Sequence, residues 1–242
     1  MSDNTTAHKA SEYEAEVQKT IPFHDEMLRT AIDVVLAVKT PKRWLDTGCG
    51  PGKLVELARA RAPETEFWLA DPSEAMLAIA RARNPELPPD RFVLATSQDL
   101  PVPVEGLHPS SSPGPQLAAL RSASFDAITA MQCHHYGDAD ARARAVARCR
   151  ELLAPGGVFV TFENVRAETE EGQAIQRKRW AEYQRRAGRD EATVAKHLSR
   201  EGVAFFPIRV SEHLALLSRV GFSRVEIVWR AFGQAGFYAL RD

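Results

Sequence analysis

The sequence is poor in cysteine, has no long apolar run and carries almost no net charge. Its three cysteines, Cys49, Cys133 and Cys149, are an odd and scattered set. They give no disulfide framework and suit a reducing compartment. No apolar run approaches the roughly 18 residues that a membrane helix needs. The opening "MSDNTTAHKASEYEAEVQ" is polar and lacks an apolar stretch, so no signal peptide is expected. A cytoplasmic protein without a membrane partner is the expectation. The 31 Lys and Arg residues against 32 Asp and Glu leave a formal net charge of −1. Nothing global therefore favours a nucleic-acid partner. A local basic run, "RKRWAEYQRRAGR" from Arg177 to Arg189, is diluted by Glu182 and reads as a solvated helix face.

What is present is a 242-residue chain of ordinary globular composition, enough for one large domain, or for one domain with a cap. Short apolar strands alternate with helical stretches. "RWLDT", "EFWLAD", "RFVLAT", "SFDAITAMQ" and "VFVTFEN" read as strands. "GKLVELARARA", "EAMLAIARAR" and "DADARARAVARCRELLA" read as helices, the second capped by Ser73 and the third stopped by "PGG". This alternation predicts right-handed βαβ units and an α/β fold with a doubly wound, mostly parallel sheet. A closing pair, "SRVEIVWRAF" and "GQAGFYALR", predicts an antiparallel strand near the sheet edge.

Four segments follow. Residues 1–41 make an N-terminal helical lid, with a disordered start and Pro22 separating a short helix from a longer one. Residues 42–164 are the core, interrupted at 101–124 by a flexible insertion rich in Pro, Ser and Gly. Residues 165–208 form a helical cap after the fifth strand. Residues 209–242 return to the sheet. No internal repeat is visible.

The stretch "RWLDTGCGPGKL" holds the chemistry. Gly48, Gly50 and Gly52 follow the first strand, at the carboxyl edge where open sheets bind ligands. A dinucleotide site prefers G-x-G-x-x-G for its pyrophosphate. Here the spacing is G-x-G-x-G, with Asp46 just before it and Pro51, which has no N–H, at the helix start. That suits a ligand with an ammonium or sulfonium and no phosphate. Asp71 ends the second strand and is placed to accept two ribose hydroxyls. The plainer reading of Asp71 is an acid interacting with a helix dipole.

"WLDTGCGPG" together with "LADPSEAM" resembles the class I S-adenosylmethionine-dependent methyltransferases. "TSQDLP", "SFDAITAMQCHHYGD" and "CRELLAPGGVFVTFE" extend the resemblance over about residues 42–164 and the last two strands. It implies S-adenosyl-L-methionine as cofactor and a Rossmann-like, seven-stranded sheet in the order 3-2-1-4-5-7-6, with strand seven antiparallel. It places Asp46 and Gly48 near the methionine part. Asp71, with its ribose role, and Pro72 and Met76 are further cofactor-binding residues in that reading. Ser97, Gln98, Asp99 and Leu100 lie near the adenine, and Met131 and Gln132 near the transferable methyl. The insertion at 101–124 departs from the family's short spacing there.

Methyl transfer at a sulfonium asks mainly for alignment, with a base as an option. His134 and His135 are candidate bases, or structural histidines beneath the cofactor. Glu163, ending strand five, faces substrate or sits as a rim acid. Cys133, His134 and His135 are adjacent and chelate one ion poorly, so no metal is expected. Tyr13, Tyr136, Trp180, Tyr183, Arg200 and Phe206 are candidate walls of an acceptor pocket. Trp180 and Tyr183, at i and i+3, also suit simple packing.

The leading expectation is methyl transfer to a small-molecule acceptor, by a monomer or homodimer. "AEVQKTIP", the long cap and the "VSEH…GF…VEIVW" tail are also similar to the carboxy-S-adenosylmethionine synthases. In that case the cofactor is itself the substrate and Arg200 is the cation for a new carboxylate. A non-catalytic ligand-binding protein is a third possibility. The loop spacing is wrong for a nicotinamide dehydrogenase.

Overall fold

A computed structural model describes residues 6, 8–101 and 124–242. Nearly all of the expected insertion at 101–124, and most of the expected disordered start, lie outside the described residues. No helix among the described residues is long and apolar enough to cross a membrane.

The sheet is built as the alternation predicts. The strands are β1 (Arg43–Thr47), β2 (Glu66–Asp71), β3 (Phe92–Leu94), β4 (Phe125–Met131), β5 (Leu153–Arg166), β6 (Ile208–Arg209), β7 (Arg224–Ala231) and β8 (Gln234–Leu240). Their order is β3-β2-β1-β4-β5-β8-β7, and β8 runs antiparallel to both β5 and β7. This is the expected path. One strand is added: β6 pairs with the end of β5 through Val165 and Ile208, making eight strands where seven were expected. Two residues carry no readable period, so sequence patterning passes over such a strand.

The helices are α1 (Tyr13–Thr20), α2 (His24–Val38), α3 (Lys53–Arg59), α4 (Glu74–Arg83), α5 (Ala139–Leu152), α6 (Glu170–Arg186), α7 (Glu191–Leu198) and α8 (Val210–Val220). Ser73 caps α4 as expected, its hydroxyl accepting from Met76 N at 3.2 Å. Asp138 does the same for α5 through Ala141 N. Apolar residues three and four apart turn one face of α2, α3, α4, α5 and α8 onto the sheet. Met27, Leu28, Ala31, Ile32 and Val35 of α2 pack with Leu54 of α3, Leu77 of α4 and Trp44 of β1. Val146 and Cys149 of α5 and Leu216 and Leu217 of α8 cover the opposite face against Leu45, Ile128, Phe159 and Phe237. Side chains alternate along each strand, so β1 sends Trp44 to one layer and Leu45 to the other.

The extra segment between β5 and α8 holds α6 and α7. It docks on the N-terminal helices: Trp180 Nε1 donates to Thr20 O at 2.6 Å and the Tyr183 hydroxyl to Gln18 O at 2.6 Å.

Candidate functional site

The loop between β1 and α3 lies at the carboxyl edge of the parallel strands. Gly48, Gly50 and Gly52 all have positive φ, of 64°, 52° and 74°. The three do different work. A Cβ on Gly48 would lie 2.4 Å from Cys133 Cβ, so this glycine lets the loop pass the chain leaving β4. A Cβ on Gly52 would meet Asn84 and Ala80, so Gly52 serves the packing of α3 on α4. Beside Gly50 there is open space, with no atom within 4 Å of a built Cβ.

Asp71 fixes that loop from the end of β2. Its Oδ2 accepts from Gly50 N and its Oδ1 from Ser73 N, both at 2.9 Å. Burial raises its carboxyl above the ordinary range, and the two backbone donors oppose the rise. Asp46 is more deeply buried, at 1% exposure. It accepts from Thr129 Oγ1 at 2.7 Å, and Thr129 Oγ1 in turn accepts from Trp44 Nε1 at 3.0 Å. Burial pushes the Asp46 carboxyl up to about 7; the Thr129 bond opposes this and the charge of Asp71 adds to it.

Two adjoining cavities open here, of about 210 Å³ and about 160 Å³. Tyr13, Gly48, Gly50 and Met131 line both. The larger is walled by Asp71, Pro72 and Met76 on one side, by Ser97 and Gln98 after β3, and by Gln132, His134 and Tyr136 after β4. The smaller runs beneath α1 and α2 to Asp46. Gln132 has φ of 54°, and both its Oε1 and Nε2 are buried without a partner among the described residues. An orphaned amide in a cavity wall fits a polar ligand that donates and accepts there.

The turn after β4, His134–Tyr136, is pinned from behind. Glu163, 1% exposed, accepts four bonds: from His134 N at 3.2 Å, His135 N at 3.0 Å, His135 Nδ1 at 2.7 Å and Thr161 Oγ1 at 2.9 Å. Burial alone would raise this carboxyl. The His135 hydrogen bond and the surrounding histidines outweigh it and hold it at about 2. His135 Nε2 meets the Asn164 amide at 3.1 Å. With Nδ1–H given to Glu163, Nε2 is the acceptor of that bond. His134 Nε2 lies 3.0 Å from Ser97 Oγ, itself 2.8 Å from Thr47 Oγ1. Burial lowers the His134 pKa, so the ring is neutral near pH 7. Burial pushes the Tyr136 phenol up to about 12, so it stays a donor.

Several expected site residues stand elsewhere. Glu163 and His135 lie behind the turn and outside both cavity walls. Asp99 is exposed and accepts from Thr96, and Leu100 belongs to the apolar core. Trp180, Tyr183, Arg200 and Phe206 line neither cavity. Of the expected acceptor residues, Tyr13 and Tyr136 do. Donor atoms of Cys133, His134 and Glu163 gather within 4.8 Å. Burial keeps Cys133 a thiol, and Glu163 already has its four donors, which disfavours a cation there. Sequence patterning passed over Arg142, Thr96, Gly137, Ala141 and Ala145, which also line the larger cavity. Ala141 and Ala145, at i and i+4, were a legible helical face.

Residues 45–159 match a family model described as a methyltransferase domain. Trans-aconitate 2-methyltransferase of Methylobacterium nodulans is 41% identical over 98 residues, 34% of this chain and 38% of that enzyme. Carboxy-S-adenosyl-L-methionine synthase of Marinobacter nauticus is 22% identical over 230 residues, 93% of this chain and 85% of that enzyme. Magnesium protoporphyrin IX methyltransferase from Synechocystis, solved with bound S-adenosylmethionine, shares the fold with a TM-score of 0.59 at 14% identity, over 93% of this chain and 84% of that one.

Proposed function

We propose, from the premise that this chain belongs to the class I S-adenosylmethionine-dependent methyltransferases, that it transfers a methyl group from S-adenosylmethionine to a small-molecule acceptor. One arrangement carries the reading. Asp46 and Asp71 stand in the walls of two adjoining cavities, with the backbone of Gly48 and Gly50 common to both. A ligand with a diol at Asp71 and an ammonium at Asp46 spans that path, and no phosphate is needed.

The cofactor supplies an electrophilic methyl on a sulfonium. The chain supplies alignment and a dry enclosure. Asp71 accepts the ribose hydroxyls, Met76 and Pro72 flank the ring, and Ser97 and Gln98 meet its polar edge. Gln132 offers its free amide, and Asp46 takes the ammonium. Glu163 and His135 hold the turn that places Gln132, His134 and Tyr136, without touching the reacting atoms. Tyr136 remains protonated and donates a hydrogen bond to the acceptor. His134 has its Nε2 engaged with Ser97, so catalysis rests on positioning rather than on a strong base.

Residues 1–41 act as a lid through Tyr13, and residues 165–208 as the cap that holds the lid. A cytoplasmic monomer or homodimer without a nucleic-acid partner completes the proposal, supported by the unpaired cysteines and the balanced charge. Mass spectrometry of small molecules released from freshly purified, denatured protein tests it. S-Adenosylmethionine or S-adenosylhomocysteine is expected. Absence of both, followed by no binding in a direct titration, overturns it.

A second reading has its own support. The carboxy-S-adenosylmethionine synthase relative aligns over 93% of this chain, and the charge of Arg200 reaches the Tyr136 phenol in the cavity wall. A released cofactor carrying an extra carboxyl group would favour that chemistry over methyl transfer.

A further inference from the structure

Arg142 lies in the first turn of α5, 3% exposed, and lines the larger cavity. Its hydrogen bonds run to backbone carbonyls: Nε donates to His134 O and Nη2 to Gly137 O, both at 3.3 Å, and Nη2 also to Phe206 O. Nη1 makes none among the described residues, and no described carboxylate lies within ion-pair distance. Glu163, Glu212 and Asp138 act on it only through space.

The wall of this cavity holds two charged groups among the described residues, Asp71 and Arg142. Asp71 is engaged with Gly50 N and Ser73 N. Arg142 is left as the cation of the wall. A buried guanidinium without a hydrogen-bonded carboxylate is costly, and carbonyl oxygens with the through-space charge of Glu163 offset only part of that cost. A planar carboxylate is the group whose geometry matches the guanidinium fork. Tyr136, one residue from the Gly137 carbonyl that Arg142 holds, lines the same cavity and adds a neutral O–H donor.

We propose that the acceptor carries a carboxylate and that Arg142 is the residue that selects it. This rests on the methyl-transfer reading of the cavity and names the class of acceptor. It differs from a purely structural role, in which Arg142 ties the turn after β4 to Phe206 of the cap. A structural clamp has no preference for ligand charge.

The test uses the full chain saturated with S-adenosylhomocysteine, whose own binding is measured first and scores the cofactor reading separately. Benzoate, phenylacetate and succinate are then titrated, each beside its primary amide, with melting temperature and calorimetry as readouts. At least one carboxylate is expected to bind about tenfold tighter than its amide, the scale of one charge-assisted hydrogen bond. Arg142→Gln, which keeps donors for the carbonyls but no charge, is expected to lose that preference while still binding S-adenosylhomocysteine. The proposal is overturned if no carboxylate binds, if amides match their acids, or if R142Q keeps the preference. Should R142Q fail to fold, Arg142→Lys, which keeps the charge but not the fork, takes its place: a weakened acid preference is expected, and an unchanged one overturns the role of Arg142.

Discussion

His135 Nδ1 stands 2.7 Å from Glu163 Oε2, and both side chains are 1% exposed. The carboxylate also takes the two backbone N–H groups of the same turn. It organises the floor of the larger cavity without entering it.

Glu163→Gln keeps the shape but turns an amide NH₂ toward N–H groups. Breaking one side of a buried, hydrogen-bonded charge costs about 3 kcal/mol or more. Urea unfolding should show that loss. Whatever activity survives should keep the wild-type pH profile, because Glu163 positions the turn and takes no proton. A shifted pH–rate limb would instead return Glu163 to the reacting centre.

Asp46 makes cofactor affinity depend on pH. Its carboxyl is pushed up to about 7, so below that value it is largely neutral and offers an ammonium only a dipole. Calorimetric titration with S-adenosylmethionine should show affinity falling about tenfold per pH unit below 7, since the ligand must first displace a proton. Above about pH 8 Asp46 adds no further dependence, and any change there comes from the ligand's own amine losing its proton. Asp46→Asn should bind weakly throughout and show no such slope. Equal slopes in the two proteins would remove Asp46 from the ammonium end.

The layer structure was legible because it rests on local signals: Ser73 before a helical run, "PGG" after another, and the short strand "RWLDT" before the glycine loop. The parts that were not legible depend on partners distant in sequence. Glu163 could face substrate or not, and its donors sit 28 and 29 residues away on the turn. Gly52 has the spacing of a ligand-binding glycine, yet it is Asn84 and Ala80 that require it. Trp180 and Tyr183 share a helix face, as i and i+3 dictate. That this face meets Thr20 and Gln18 is set by how the cap folds back. Arg142 sits in a helix rich in arginine, and nothing in the sequence separates it from Arg144 or Arg148, which are not in the cavity wall.

Buried histidines should make the protein acid-labile. Burial lowers His213 from 6.5 to about 4, His8 to about 4 and His197 to about 3. The unfolded chain binds protons that the folded one refuses, so the histidines' contribution is intact above pH 6.5 and is lost as pH falls toward 4. Asp46 works in the opposite sense between 3.8 and 7, where the folded form keeps a proton that the unfolded form releases. The histidines outnumber it. Near pH 5, His213 alone accounts for about 2 kcal/mol. His213→Gln should flatten the fall in melting temperature between about pH 6.5 and 5. An unchanged slope would mean that His213 is protonated or solvated in the folded state.

The cap should control the lid through Trp180. The indole N–H is bonded to Thr20 O, the last carbonyl of α1, and Tyr13 at the other end of α1 lines both cavities. An eight-residue helix is too short to persist alone, so its order comes from what it docks against. Trp180→Phe keeps most of the apolar contact with His197 and Phe205 and removes the donor. A buried carbonyl left unpaired costs about 1–3 kcal/mol, charged mainly to local opening of α1. Hydrogen exchange across residues 13–20 should quicken by at least tenfold while β1, β4 and β5 stay protected. Cofactor affinity should fall with it, because the state that binds requires Tyr13 in place. If exchange quickens and affinity does not change, α1 covers the cavities without contributing to binding, and the lid assignment fails.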